Sequence, residues 1–274
     1  MSGAPGLTIR FLGQSGLRLA CEDTVLYVDP YLSDYVRETA DDPDRWARRF
    51  PPPLDPAAIR DADAVLVTHE HDDHLDPRTL LPLAAASPGA RFLVPAAARA
   101  PATEVLPAGA AIDTLTGDGD AIEYGPFRVI AVPAAHSVDY DVERGPDGHR
   151  WLGYVIEAAG RRIYHAGDTV RHSQVVAAVR ATGAIDVALL PINGRDDYRD
   201  ALDVTGNLWP REAADLAVEI GAAAIVPLHH DVFAYNGVRV GELADYAEAQ
   251  RLPLAVQVLP AGASITVAPA VAVA

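Results

Sequence analysis

The stretch Thr68-His69-Glu70-His71-Asp72-Asp73-His74-Leu75-Asp76-Pro77 decides how this chain is read. It places four side chains able to hold a metal, His69, His71, Asp73 and His74, within six residues. An apolar run at 64–67 precedes it, and a helix is announced by Asp76 as N-cap and Pro77 at the first helical position, continuing through 78–86. Two imidazoles one residue apart can turn toward one ion. Asp73 and His74, a turn later, can face a second. Divalent cations of intermediate softness take this mixture of nitrogen and oxygen, and a position left to water makes such a site catalytic. A solvated polar loop is the plain alternative, and it leaves three histidines in six residues unexplained.

A metal loop needs partners from elsewhere in the chain. His136 follows an apolar run at 127–132, Asp168 follows one at 161–165, and His229 follows one at 222–226. A lone histidine after a strand is more often capped or solvated. Their shared place, at the C-terminal end of an apolar strand, raises all three together.

Outward from these positions, β-rich runs at 7–12, 16–20 and 24–28 read as a meander. Residues 33–63 are rich in charge and contain Pro51-Pro52-Pro53, which predicts a lid-like surface excursion and no core element. Further strands are expected at 91–94, 151–157 and 184–190, followed by a long loop at 193–208. Helices are expected at 210–220, ended by Gly221, and around Val240, Leu243, Ala244 and Ala247. Alternation at 256–258 and 265–267 predicts two terminal strands and a short tail. With no short-period repeat and no linker, residues 1–274 read as one domain of two sheets covered by helices, although the alternation alone equally allows a doubly wound sheet.

The composition sets limits. The chain has 274 residues, 50% hydrophobic and 22% charged, an ordinary globular balance. Its net charge of −16 argues against nucleic-acid or anionic-membrane binding, and leaves open a small anion held by one or two arginines. One cysteine, Cys21, excludes an intrachain disulfide and a Cys-rich zinc module, so a metal must be held by His and carboxylate; a buried or edge thiol is its expected state. The opening MSGAPGLTIR has neither a basic start nor an apolar core of signal-peptide length, and prolines break the uncharged stretch 252–274, so a cytoplasmic protein is expected. A homo-oligomer is compatible with these features.

The order His-x-His-x-Asp-His, then His, then Asp after Gly, then His, resembles the metallo-β-lactamase superfamily over nearly the whole chain. Asp29-Pro30-Tyr31-Leu32, 68–76, Tyr164-His165-Ala166-Gly167-Asp168, Leu190-Pro191-Ile192-Asn193-Gly194 and Pro227-Leu228-His229-His230-Asp231 look most similar to the L-ascorbate-6-phosphate lactonase-like hydrolases. The chain departs from that enzyme in length and in the excursion.

This resemblance implies an α/β fold, an αββα four-layer sandwich with two divalent ions at one edge, Zn or Mn, with Fe admitted where oxygen contacts are many. It implies His69, His71 and His136 on one ion, Asp73, His74 and His229 on the other, and Asp168 bridging, with Asp73 and Asp168 also catalytic. His230 rivals His229 and is expected to line the pocket instead. Asp29 would orient the loop or a ligand histidine, and His165 would sit behind the ligands or face substrate. Tyr31, Asn193, Arg195 and Tyr198 are candidates for the substrate wall. The implied activity is attack by a metal-activated water on a small lactone or ester. A small phosphodiesterase and a non-enzymatic metal-binding protein are the alternatives.

Overall fold

The computed structural model describes residues 6–270; residues 1–5 of the opening decapeptide and 271–274 of the tail lie outside them. Period-two burial builds the first sheet: in β1 (Leu7–Gly13) Leu7, Ile9 and Phe11 are buried while Thr8 and Arg10 are partly exposed. Tight turns lead into β2 (Gly16–Cys21) and β3 (Thr24–Val28), an antiparallel meander. The strands β4 (Ala64–Leu66), β5 (Arg91–Pro95) and β6 (Ala111–Leu115) then add in parallel.

The second sheet begins with β7 (Ala121–Tyr124) and β8 (Phe127–Pro133). A small hairpin, β9 (Arg144–Gly145) and β10 (Gly148–His149), precedes β11 (Leu152–Ala158) and β12 (Arg161–His165). Parallel strands β13 (Val187–Pro191), β14 (Ala224–Leu228) and β15 (Ala255–Val256) complete it, in the order β15-β14-β13-β12-β11-β8-β7. The chain then returns: β16 (Ser264–Val267) pairs antiparallel with β1, Leu7 opposite Val267.

Side-chain alternation stacks the layers. In β8, Val129 and Ala131 enter the core between the sheets beside Ile9, Leu19 and Leu26, while Ile130 and Val132 face outward. Of the helices, α1 (Tyr35–Thr39) lies in the excursion, and α2 (Pro77–Ala86) and α3 (Arg99–Val105) cover the first sheet. On the second sheet, α4 (Ser173–Ala181), α6 (Pro210–Glu219) and α7 (Gly241–Ala249) bury Val175, Val179, Leu216 and Leu243, and α5 (Asp197–Asp200) is a single turn in the loop after β13. The result is helix, sheet, sheet, helix. Cys21 lies buried in the inter-sheet core.

Three readings of the sequence differ from this structure. The excursion is not wholly superficial: Ile59 and Ala62 are buried beneath Leu80 and Leu83 of α2, and Trp46 and Phe50 pack around Tyr31, Val232 and Phe233. The region between β5 and β8, where no element is legible, holds α3, β6 and β7; four of the five β6 residues are at least partly exposed, which hides their alternation. The strand expected at 256–258 shrinks to the two residues of β15.

Candidate metal centre

Loops after β3, β4, β8, β12 and β14 meet at one end of the sandwich, together with the β1–β2 turn. Asp29, directly after β3, ties this end together. Its Oδ1 accepts from the Thr68 backbone N–H at 2.8 Å, and its Oδ2 accepts from the Thr68 hydroxyl at 2.7 Å and faces His74 Nδ1 at 2.8 Å. That contact fixes His74 with Nε2 turned inward. The loop then closes on itself, His74 N–H and Leu75 N–H both reaching the His71 carbonyl. Asp76 caps α2 by accepting from Arg78 N–H at 2.8 Å and from the hydroxyls of Ser33 and Thr79.

Three groups of donors converge: His69, His71 and His136; Asp73, His74 and His229; and His69, His74 and Asp168, all donor atoms within a group lying within 4.8 Å of one another. His69 Nε2 is 3.0 Å from His71 Nδ1. Asp73 lies 3.1 Å from His229 Nε2 and 3.8 Å from His74 Nε2. Asp168 is central, at 3.3 Å from His229, 3.4 Å from His74 and 3.6 Å from His136. Two donors sharing one tetrahedral ion with bonds of ~2.05 Å stand ~3.3 Å apart, so these separations are those of ligand edges. His74 Nε2, both nitrogens of His136 and Asp168 Oδ1 are buried without a hydrogen-bond partner among the described residues, and bound cations would satisfy His74 Nε2, Asp168 Oδ1 and one nitrogen of His136. The donor chemistry and the orphaned atoms fit divalent ions.

Electrostatics divide the cluster in two. Burial lowers the pKa of His69 and His71 and takes that of His136 down to about 3, so these imidazoles are neutral and ready to ligate. His74 and His229 are also penalised by burial, but carboxylates outweigh it: Asp29, Asp73 and Asp168 hold His74 well above the usual range. Asp168 and Asp73 push His229 up to about 10. Burial alone would raise Asp73 and Asp168, yet the neighbouring His74 and His229 keep both carboxyls well below the ordinary carboxylate range.

The strand β14 runs through Pro227, which pairs with Leu190, and the chain turns only at His229, whose φ is +56°. The left-handed residue sends His229 to the carboxylates, while His230 stacks on Phe11 with ring centres 6.5 Å apart and does not line the cavity. Tyr31, Asn193, Arg195, Tyr198 and His165 are likewise outside the lining of that cavity. Tyr31 is fully buried behind Phe233. Arg195 makes paired bonds to Glu212 at 2.6 and 2.8 Å, and Tyr198 projects into solvent. His165 is buried, its Nε2 2.8 Å from the Ser15 carbonyl. Asn193 is buried, donating to Asn236 and accepting from Asn207.

Two contributors carry no sequence signal. Gln14, an isolated amide in the β1–β2 turn, is buried with Nε2 2.6 Å from Asp73 Oδ2, and its carbonyl accepts from the His229 N–H at 2.7 Å. Asn207, far along a polar loop, donates to Asp168 Oδ2 at 2.9 Å.

A cavity of about 310 Å³ opens over this cluster, walled by Val36 and Trp46 of the excursion, by Phe233 and Asn236, and by the 203–205 loop. A larger hollow of about 620 Å³ lies elsewhere, beside α4, lined by Arg128, His149, Glu157 and Arg162. Convergent ligand-type side chains single out the smaller one as the site.

The beta-lactamase superfamily domain matches residues 24–230. UPF0173 metal-dependent hydrolases are similar: one from Methanoculleus marisnigri is 33% identical over 215 residues, covering 76% of this chain and 83% of its own. One from Thermoplasma acidophilum is 31% identical over 206 residues, 75% of each. Among solved structures, a putative metal-dependent hydrolase from Parabacteroides distasonis shares 25% identity with a TM-score of 0.63 over 92% of both chains. An isothiocyanate hydrolase from Delia radicum gut bacteria shares the fold, with a TM-score of 0.74 and 16% identity over 96% of this chain and 99% of its own.

Proposed function

Because this chain belongs to the beta-lactamase superfamily, we propose that it is a metal-dependent hydrolase acting on a small carbonyl substrate, a lactone or ester, at the cluster between the sheets. His69, His71 and His136 would hold one divalent ion, and Asp73, His74 and His229 a second, with Asp168 between them. The mixed nitrogen and oxygen set suits Zn or Mn, and admits Fe. The observation that carries the reading is the spacing of donor atoms, 3.0–3.8 Å across six separate pairs.

Bound ions would supply a water of lowered pKa and Lewis-acid polarisation of the substrate carbonyl. The rest is the work of this chain's residues. Asp29 holds the Nδ1 side of His74 and so aims its Nε2. Asn207 donates to Asp168 Oδ2 and Gln14 to Asp73 Oδ2, which fixes both carboxylates with the other oxygen of each toward His74 Nε2, at 3.4 Å from Asp168 and 3.8 Å from Asp73. Asp73, which lines that cavity, would take a proton from the attacking water and pass it to the leaving alkoxide. Val36, Trp46 and Phe233 supply apolar walls that reduce access of bulk water. The lactone preference rests on likeness to lactonase-like enzymes, since a fold by itself does not choose a substrate.

The test is a hydrolysis panel of lactones, esters, thioesters and phosphodiesters with protein loaded with Zn or Mn. Turnover of a lactone or ester is expected, with loss on chelation and in Asp168→Ala. Metal-replete protein that hydrolyses none of them, or hydrolysis indifferent to chelation and to Asp168→Ala, contradicts the proposal.

A further inference from the structure

The geometry points to a substrate that carries no negative charge outside its reacting group and that is favoured by a positive charge there. This rests on the hydrolase reading above and narrows its substrate class.

Beyond the clustered donors, three carboxylates line the cavity: Glu70, Asp72 and Asp203. They belong to none of the donor groups close enough to share an ion, so a resident metal does not account for them among the described residues. Two of the three have no cationic side-chain partner among the described residues. Arg150 reaches Glu70 Oε1 at 2.7 Å, but Oε2 is buried without a partner. Asp72 accepts from the Thr39 hydroxyl at 2.8 Å, and among the described residues neither Asp72 nor Asp203 is within ion-pair distance of an arginine or histidine outside the cluster.

Apart from the ions of the hydrolase reading and their histidine ligands, no side-chain cation lines the cavity to receive an anion. The chain contains no lysine, and no arginine lines the cavity. The nearby arginines lie outside the lining and make contacts elsewhere, although Nη2 of Arg48 is buried without a partner. Arg48 donates to the Ser33 carbonyl at 3.0 Å and lies over the Tyr31 ring; Arg195 pairs with Glu212; Arg199 reaches Asp196, the Asn193 carbonyl and Asn236. The cavity lining thus offers no arginine to the small anion that the composition left open. A net charge of −16 extends the same field outward and steers cations inward. Trp46 and Phe233, edge to face at 5.2 Å, add an aromatic wall able to receive an alkylammonium group.

The test uses three matched acetate esters: acetylcholine, its uncharged isostere 3,3-dimethylbutyl acetate, and 3-acetoxypropanoate. Alongside them go the three methyl ketones in which CH2 replaces the ester oxygen, so that binding is read without hydrolysis. Calorimetry on metal-loaded full-length protein should rank the ketones cation, neutral, anion, with the cation bound about tenfold or more tighter than the anion at low ionic strength. The gap should shrink as salt rises and should narrow several-fold in Asp203→Asn and in Asp72→Asn. Equal or undetectable binding of the three ketones, a tighter anion, or a gap indifferent to both substitutions overturns the inference. If the ketones keep the predicted order while no ester is hydrolysed, the charge selectivity stands and the hydrolase reading alone falls.

Discussion

His229 and His230 are adjacent, yet one reaches two carboxylates and the other stacks on Phe11. A positive φ at His229 breaks the alternation of the strand, and no residue pattern announces it. The charges make a prediction at this scale. His69, His71 and His136 have lowered pKa values and are neutral near pH 7, so an ion binds them without displacing a proton. His74 lies well above its usual range and His229 at about 10, so an ion there must expel protons. Affinity at the second group should therefore rise with pH, about tenfold per unit for each proton displaced. In metal-free protein the sign reverses for stability: the pairing of His229 with the carboxylates stabilises the fold fully below the unfolded-state value of ~6.5 and is lost as pH rises through about 10. Metal analysis after dialysis at about pH 6 and about pH 8 should find one ion, then two. His229→Ala should stay at one ion while His230→Ala follows the wild type. Simultaneous loss of both ions on acidification, or the reverse behaviour of the two variants, contradicts this. The histidines and Asp168 were legible because few other roles demand them at strand ends. Gln14 was not, since one amide in a turn resembles any other.

Among the elements, the turn after β12 sets the position of Asp168. Gly167 has φ +60°, and a Cβ there would stand 2.7 Å from the Leu152 carbonyl oxygen and 2.9 Å from Thr68 Cβ. Gly167→Ala should cost about 1–3 kcal/mol in backbone conformation alone, and more as Thr68 is displaced. Because Asp168 contacts both halves of the cluster, occupancy of both ions should fall with it. Gly89→Ala is the control, since a Cβ there meets nothing within 4 Å. Thermal melts and metal content of the two variants decide the matter; equal melting temperatures and equal occupancy would mean the turn is not a constraint. An element with clear alternation, such as β1, was readable to within a residue. Where alternation is masked by exposure, as in β6, or where apolar residues are scattered among charges, as in 33–63, local pattern carries too little contrast, and tertiary packing decides.

At the scale of the molecule, each half of the chain holds an incomplete site. The first supplies Asp29, His69, His71, Asp73 and His74, the second His136, Asp168 and His229, and the two sheets meet face to face around one core. The return of β16 to β1 fastens the halves together. Ions that bind only the assembled site add to folding stability, so chelation should lower the melting temperature. The layered architecture was legible only through the family resemblance carried by the order of ligand-type residues, since the alternation alone equally allowed a doubly wound sheet. Sequence order could not reveal the charge of the cavity, because Glu70, Asp72 and Asp203 come from two loops far apart in sequence. The central claim is that this junction holds two ions. Elemental analysis of the full chain by plasma mass spectrometry, after equilibration with Zn or Mn at about pH 8 and removal of free metal, tests it most directly. The account predicts about two equivalents per chain, and less than about half an equivalent of any transition metal would contradict it.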